Sequence, residues 1–188
     1  MFKFDEVNHT YTLNDRRLPS VTEVIRSNFG DPFNSKDWYM QRGKALHKAI
    51  ELISKDKLDW NSVHNSIKPR LVSFQKFLEN TKSRILDSEI RMYSKRLRFA
   101  GTADAVLEGC DGLYLVDFKS SVTPEVDIQL GGYSIMYTEN DLVRPIKLMA
   151  VELGENNYKI RIVKNPKHAE RLFMCCLQIH NFKLTRGE

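Results

Sequence analysis

The stretch Gly101–Ser121, GTADAVLEGCDGLYLVDFKSS, decides the fold expected for this chain of 188 residues. Two apolar, strand-like segments flank the short segment Gly109–Gly112, which has glycine at both ends and is typical of a tight turn. Each strand-like segment carries one aspartate among apolar neighbours, Asp104 in the first and Asp117 in the second. Burying a charge in a strand is costly unless the charge is paired or binds a metal. The stretch therefore predicts a β-hairpin whose two aspartates belong to a functional site.

Hydrophobic periodicity on both sides of the hairpin predicts the other elements. In chain order these are an alternating segment at 2–13, a short strand, helices at 20–29, 35–55 and 69–85, two strands at 87–108, a strand at 113–121, a helix after residue 124, a hairpin at 146–164 and a helix from 166. The segment 59–65 is compatible with a helix or a loop. This order predicts an α/β fold with a central mixed β-sheet flanked by helices and with additional N-terminal helices.

Local signals place the ends and faces of the first helices. Ser20 followed by Glu23 is the pattern of a capping box, and the segment 30–32, Gly-Asp-Pro, predicts the end of that helix. Apolar residues at three- and four-residue spacing predict the buried faces of the next two helices. We assign Ala45 to the first of these faces and Ile85 to the second.

Composition limits the class of protein. A length of 188 residues with 41% hydrophobic residues suits one domain, 1–188, and the net charge of +5 favours anionic partners such as nucleic acid or acidic membranes. The start of the chain is not typical of a signal peptide. The sequence contains no run of about 18 apolar residues, so a membrane span is not expected. Three cysteines do not suggest a disulfide framework, so we expect a reducing, cytoplasmic location, in a host cell if the protein is viral.

The two aspartates and a lysine suggest a metal-dependent reaction on a phosphate. Asp104 and Asp117 lie on strands that are expected to be neighbours about 5 Å apart, so both carboxylates would reach one hard cation such as Mg²⁺. Lys119 follows Asp117 by two residues and therefore leaves the same face of the strand. A lysine in that position would orient the nucleophile or stabilise developing negative charge. The pattern is compatible with phosphodiester hydrolysis.

An isolated Asp-x-Lys tripeptide is most often an ordinary ion pair on a solvated strand. Here Asp117 follows Leu115 and Val116, and Asp104 is followed by Ala105. These neighbours are typical of a core rather than of a polar face, and they favour a functional site.

The order of motifs resembles the PD-(D/E)XK nuclease superfamily in its RecB-like exonuclease branch. The motifs are a Gly-x-x-x-His at 43–47, a Gly-x-x-Asp at 101–104, an Asp-x-Lys at 117–119 and a Gln-x-x-x-Tyr at 129–133. The segment LPSVTEVI near the N-terminus resembles the opening of phage exonucleases and of the mitochondrial genome maintenance exonuclease. The resemblance extends over about 18–137, and it implies a restriction-endonuclease-like core.

The resemblance implies a role for each matching residue. His47, Asp104 and Asp117 would be metal ligands together with the backbone carbonyl of Phe118, and Lys119 would be the catalytic lysine. One or two Mg²⁺ or Mn²⁺ ions would be the cofactor. Imidazole is an unusual ligand for Mg²⁺ and suits Mn²⁺ better.

Gln129 and Tyr133, one helical turn apart, would face the site and position the lysine or the DNA backbone. Simpler interpretations stay open for several residues. His47 is alternatively a core histidine with satisfied hydrogen bonds, and Tyr133 and Tyr137 are alternatively part of a core stripe. Glu89 is either an additional acid at the metal site or a surface glutamate on an edge strand.

Some relatives in this branch hold an iron–sulfur cluster on four cysteines, one of which precedes the nuclease core. The first cysteine of this chain is Cys110, and Cys175 and Cys176 fall in an apolar helix as expected for small core residues. We therefore expect no iron–sulfur cluster. The chain also has no helicase P-loop, so a helicase, polymerase or single-strand annealing protein would be a separate partner.

Contacts to DNA are predicted in two places. Arg42, Lys44, Trp38 and Tyr39 lie close to His47, and basic residues interleaved with aromatic ones bind single strands by phosphate contacts and base stacking. The alternative is that the two aromatic residues pack against the sheet. Ser120 and Ser121 either hydrogen-bond a phosphate or simply end a strand.

These predictions divide the chain into a DNA-binding wall at 1–85, made of a hairpin and helices, and a catalytic core at 86–188. They favour a metal-dependent DNA exonuclease that acts on free, single-stranded ends in recombination, replication or DNA processing, including DNA repair. A structure-specific endonuclease on the same fold and a non-catalytic DNA-binding module stay open as alternatives.

Overall fold

The structure is a computed structural model and describes residues 1–30, 37–140 and 147–186. Its elements in chain order are β1 (Phe2–Asp5), β2 (Thr10–Leu13), β3 (Arg16–Leu18), α1 (Val21–Phe29), α2 (Asp37–Ser54), α3 (Lys68–Thr81), β4 (Arg84–Ser94), β5 (Phe99–Gly109), β6 (Gly112–Lys119), α4 (Val126–Glu139), β7 (Lys147–Leu153), β8 (Tyr158–Ile162) and α5 (Pro166–Arg186).

The last five strands form one sheet in the order β4-β5-β6-β7-β8. β6 and β7 are parallel, and the other three pairs are antiparallel. Parallel neighbours need a crossover connection, which α4 provides between β6 and β7. The predicted α/β fold, with a central mixed sheet and flanking helices, is confirmed.

Helices cover both faces of this sheet. α2 and α3 pack on one face, where Leu46 and Phe74 share a buried cluster with Phe118 of β6. α1, α4 and α5 pack on the other face, where Val21 and Phe173 share a second cluster with Leu115 of β6. Since successive strand residues point to opposite faces, one strand supplies both cores. Each fully buried phenylalanine contributes about 1.5–3 kcal/mol to folding.

A separate antiparallel sheet, β1-β2-β3, precedes the helices. Asn14 and Asp15 form the turn between β2 and β3 with φ of 50° and 61°, the left-handed values that a type I′ hairpin turn needs. Tyr11 and Leu18 pack against Ala100 of β5. This small sheet is therefore attached to the edge of the main domain where β5 begins.

The predicted boundary between 1–85 and 86–188 falls inside β4, which begins at Arg84. Helices α2 and α3, which belong to the N-terminal part, form one layer of the main domain. The N-terminal part therefore supplies α2 and α3 to one helical layer and α1 to the other. Its role as a DNA-binding wall stays a prediction.

The capping box at the start of α1 is confirmed. The hydroxyl of Ser20 accepts a hydrogen bond from the backbone N–H of Glu23 at 3.0 Å, and the Glu23 carboxylate accepts one from the Ser20 N–H at 3.5 Å. Gly30 caps the C-terminus with φ of 78°. Positions 31–32 of the predicted helix break and positions 35–36 of the next predicted helix lie outside the described residues.

Three assignments of residues to buried helix faces are wrong. Ile85 lies in β4, because α3 ends at Thr81 and a turn follows. Ala45 is exposed on α2, and Cys175 is exposed on α5, whereas its neighbour Cys176 is buried. Apolar residues that adjoin a buried face need not lie on it, because each helix packs through one side only.

Two further findings concern the described ranges. The segment 59–65 consists of turns and irregular backbone rather than a helix. None of the helices in these ranges combines the length and the apolar character needed to cross a bilayer.

Candidate active site

Three acidic residues lie in a row across β4, β5 and β6. The pairs of Ser88 with Ala105 and of Ile90 with Ala103 place Glu89 opposite Asp104. On the other side of β5, the register places Asp117 next to the same residue. The row crosses strands that are about 4.8 Å apart, so it brings three carboxylates to one place.

A β-bulge in β4 creates this alignment. The register changes between Ile85, which pairs with Leu107, and Asp87, which pairs with Val106. Without that extra residue, continuing the register would put Ser88 opposite Asp104. Glu89 itself has φ of 54°, a left-handed conformation that costs energy in a residue other than glycine and often marks a functional site.

Helix α2 brings a histidine to the middle of the row. The Nδ1 atom of His47 lies 3.1 Å from Oδ1 of Asp104, while the backbone N–H of Phe118 donates to Oδ2 of Asp104 at 2.7 Å. His47, Glu89 and Asp104 each offer one ligand atom, and these atoms lie within 4.8 Å of one another. The structure thus joins Glu89 to the predicted ligands instead of leaving it at the surface.

One end of the row is an ion pair between the buried carboxylate of Asp117 and the partly exposed ammonium of Lys119. The Nζ atom of Lys119 lies 3.1 Å from Oδ1 and 2.9 Å from Oδ2 of Asp117. Gln129 on α4 donates from Nε2 to Oδ1 of Asp117 at 3.0 Å and lies 2.9 Å from the hydroxyl of Tyr133. The Gln-x-x-x-Tyr pair therefore faces the site as predicted, but Gln129 contacts the aspartate rather than the lysine.

Burial and mutual charge set the protonation of this ion pair. Burial raises the pKa of Asp117 to about 6, against the charge of Lys119 and with the help of the negative charge of Asp104. Burial alone would lower the pKa of Lys119, but the carboxylates of Asp117 and Asp104 hold it above its ordinary value. At neutral pH the lysine is therefore a fixed cation.

The same forces act on His47 and on the other two acidic residues of the row. Burial would lower the pKa of His47, but the Asp104 carboxylate raises it above its usual range. Burial would raise the pKa of Asp104, but His47, Lys119 and the Phe118 N–H keep it below its usual range. Burial and the charge of Asp104 raise the pKa of Glu89. A nearby cation would therefore stabilise the ionised form of Glu89 more than it stabilises that of an ordinary glutamate.

These donors fit a hard divalent cation. Carboxylate oxygens and one imidazole suit Mn²⁺, and carboxylates suit Mg²⁺. The Oδ2 atom of Asp117 is buried, and the Lys119 ammonium lies 2.9 Å from it. Metal binding by Asp117 and by the backbone carbonyl of Phe118 stays a prediction.

A cleft of about 120 Å³ opens beside this group of residues. It is lined by Arg42, Gly43, Leu46, His47, Arg70, Phe118, Lys119 and Ser120. Three of the lining side chains are permanent cations and a fourth is a histidine with a raised pKa. The cleft is therefore positively charged and suits an anionic ligand.

The predicted DNA contacts on α2 lie near this cleft. Trp38 and Tyr39 are each 51% exposed, and the Arg42 guanidinium lies 4.7 Å and 5.2 Å from the centres of their rings. The alternative in which both aromatic residues pack against the sheet is therefore wrong. Lys44 is also exposed.

The remaining predicted residues are placed as follows. Ser120 and Ser121 are exposed beyond the end of β6, and the first of them lines the cleft. Tyr137 lies in the core, as its alternative interpretation proposed. Gly101 of the Gly-x-x-Asp motif packs closely against Tyr133, since a Cβ atom there would lie 3.0 Å from the tyrosine ring.

Comparisons with known proteins rest on structure. No protein-family model and no curated protein matches the sequence. Among solved structures, the "Putative exonuclease" from Eubacterium rectale is similar over 90% of this chain and 74% of its own chain, with a TM-score of 0.53 at 8% sequence identity. The two proteins share a fold. The crystal structure of SSO0001 covers 89% of this chain and 79% of its own, at 12% identity, but its TM-score of 0.42 is too low for an argument.

Sequence reasoning overlooked Arg70 and gave too little weight to Glu89. Arg70 follows the start of α3 in a segment with no recognisable motif, so nothing in the sequence pointed to it. Glu89 lies fifteen positions before Asp104, and only the pairing of β4 with β5 shows that the two are opposite each other.

Proposed function

We propose that this chain is a metal-dependent DNA exonuclease of the PD-(D/E)XK superfamily, in its RecB-like branch, that acts on free single-stranded ends. The proposal rests on one arrangement, in which His47, Glu89 and Asp104 lie beside the Asp117–Lys119 ion pair. The fold shared with a protein named as a putative exonuclease supports a nuclease fold.

Each residue has a role that follows from its surroundings. His47, Glu89 and Asp104, with Asp117, would hold one or two divalent cations. Lys119 holds a fixed positive charge at the scissile phosphate and stabilises the negative charge that develops there. When bound, the cation would withdraw charge from the phosphate and assist deprotonation of the attacking water.

Two residues of α4 hold the Asp117 carboxylate in place. Gln129 fixes the Asp117 carboxylate from α4, and Tyr133 supports Gln129 from the next turn. The exposed pair Trp38 and Tyr39, with Arg42 between them and the cleft, offers stacking surfaces and a phosphate contact to a single strand.

The test is digestion of end-labelled DNA with Mg²⁺ or Mn²⁺. Linear single strands, linear duplexes and closed single-stranded circles should be compared over time. An exonuclease shortens linear strands from an end and leaves circles intact. Circles cut as fast as linear strands would support an endonuclease instead, and DNA binding without any cleavage would support a non-catalytic module.

The affinity for the metal is expected to decrease as the pH is lowered. A proton must leave His47 before the imidazole binds a metal, and the raised pKa of His47 keeps that proton bound to a higher pH than usual. Asp117, with its pKa of about 6, adds to the effect at lower pH. The Kd for Mn²⁺ should therefore increase by about tenfold for each unit by which the pH falls below the pKa of a ligand.

Isothermal titration of the protein with Mn²⁺ at about pH 8, 7 and 6 measures this effect. The His47→Gln variant should bind Mn²⁺ more weakly and with a flatter pH dependence. Equal affinity of the wild-type protein at all three values would contradict the expectation.

A further inference from the structure

We propose that Arg70 on α3 binds a phosphate group of the DNA strand next to the phosphate that is cut. The proposal deepens the proposed function, on which it rests, by adding a second phosphate site to the same cleft. The site consists of Arg70 and Arg42, which line the cleft together with Lys119 and Ser120.

The first observation is that Arg70 is buried and that its guanidinium has no close partner among the described residues. Arg70 is only 9% exposed. Its Nε atom is buried and has no hydrogen-bond partner among the described residues. Its NH1 atom makes two contacts, to the carbonyl of Ser66 and to a carboxylate oxygen of Glu155, and both are long at 3.5 Å. A buried charge without close hydrogen bonds is costly, and an anion in the cleft would remove that cost.

The second observation is the position of the cleft relative to the reacting groups. His47 and Lys119 line it, whereas Glu89 and Asp104 do not. The cleft therefore lies between α2, α3 and the C-terminal end of β6, and it joins His47 and Lys119 to Arg70. A strand whose scissile phosphate lies at Lys119 would run through the cleft and place its neighbouring phosphate beside Arg70. Arginine is the side chain best suited to bidentate contact with phosphate oxygens.

The third observation concerns Glu155, which has the only acidic side chain within hydrogen-bond distance of Arg70 in the described ranges. Glu155 lies in the turn between β7 and β8, and its side chain is 66% exposed. An exposed carboxylate at 3.5 Å contributes little to holding the guanidinium. Glu155 is therefore a weak competitor that DNA phosphate displaces.

The test is binding of a fluorescent single-stranded oligonucleotide without divalent metal, at several salt concentrations. Arg70→Gln should weaken binding by about tenfold and lower the slope of log Kd against log salt by about 0.7, the value for one phosphate contact on a single strand. Arg70→Lys should recover the slope but only part of the affinity. Glu155→Gln should strengthen binding by about threefold.

Control variants with the same charge changes come from an exposed arginine–glutamate pair. Arg84 and Glu108 pair at 2.8 Å at the far end of β4 and β5. Arg84→Gln and Glu108→Gln change the net charge equally but lie away from the cleft, so neither should alter affinity or slope. Unchanged binding by Arg70→Gln, or an equal loss in Arg84→Gln, would overturn the proposal. If Arg70→Gln does not fold, unchanged binding by Glu155→Gln overturns it.

The phosphate that Arg70 binds is either inside the strand or at its end. Oligonucleotides that differ in their terminal groups distinguish the two cases. Oligonucleotides with a 5′-phosphate, a 3′-phosphate or only hydroxyl ends should be compared. A preference for one phosphorylated end that disappears in Arg70→Gln assigns the site to a terminal phosphate. Equal binding of all three, weakened equally in Arg70→Gln, assigns it to an internal phosphate.

Digestion of linear strands separates the two proposals. If the wild-type protein cuts and Arg70→Gln binds and cuts equally well, the phosphate site is wrong and the nuclease proposal stands. If the wild-type protein does not cut but its binding depends on Arg70, Arg70 binds a phosphate of DNA and the nuclease proposal is wrong.

Discussion

Replacement of Lys119 with alanine is expected to lower the rate of DNA cleavage by about a hundredfold to a thousandfold. The Lys119 ammonium is held by Asp117 and keeps its proton at neutral pH because two carboxylates surround it. Its removal takes away a positive charge that is fixed before the reaction begins. Initial rates on a linear single strand, at saturating Mn²⁺, measure the loss.

A suitable control for this variant is Lys159→Ala. Lys159 also pairs with a carboxylate, that of Glu152 at 3.4 Å, but its side chain is 82% exposed. Its loss should leave the cleavage rate within about twofold, since exposed ion pairs contribute little. If Lys119→Ala cleaves DNA at the rate of Lys159→Ala, the assignment of the catalytic lysine is wrong.

Stability needs a separate measurement, because Lys119→Ala leaves the buried carboxylate of Asp117 without its cation. Breaking a fully buried pair on one side costs about 3–5 kcal/mol, and a smaller loss is expected here because the Lys119 side chain is 31% exposed. The double variant Lys119→Ala, Asp117→Asn removes both charges and should recover part of that loss without recovering activity. Thermal unfolding of the two variants therefore separates loss of folding from loss of catalysis.

Replacement of Gly131 with alanine is expected to destabilise the fold by about 3 kcal/mol, the upper end of the usual cost of overpacking. A Cβ atom on Gly131 would lie 2.4 Å from the backbone carbon and oxygen of Ala169, and 2.8 Å from the backbone nitrogen of Glu170. Backbone atoms cannot turn aside as a flexible side chain can, so α4 and α5 would have to separate.

The site would be affected by the same change. Gln129 and Tyr133 lie on α4 on either side of Gly131, so a displaced α4 moves the amide that holds Asp117. Cleavage should therefore fall together with stability. Urea unfolding followed by circular dichroism gives the free energy of unfolding.

The matched control is the same substitution in α2. A Cβ atom on Gly43 would have no neighbour within 4 Å among the described residues. Alanine is favoured over glycine in a helix by about 0.5–1 kcal/mol, so Gly43→Ala should raise the free energy of unfolding. An increase in stability for Gly131→Ala as well would contradict the close packing of the two helices.

Local sequence determined the secondary structure and one part of the site. The capping box at Ser20 and Glu23 began α1 where predicted, and Gly109–Gly112 folded β5 onto β6. Asp117 and Lys119 share a face because strand residues alternate with a period of two. These features depend on residues close together in the chain, so the sequence alone contains the information.

Tertiary structure decided the rest of the site. Glu89 lies opposite Asp104 only because a bulge in β4 shifts the register by one residue, and a shift of one residue reverses which side chains share a face. The lining of the cleft by Arg70 results from the packing of α3 on the sheet. Such contacts join residues far apart in the chain, and their free energy depends on the assembled layers. The sequence by itself determined the hairpin and its Asp-x-Lys pair, and only packing determined which other charges surround them.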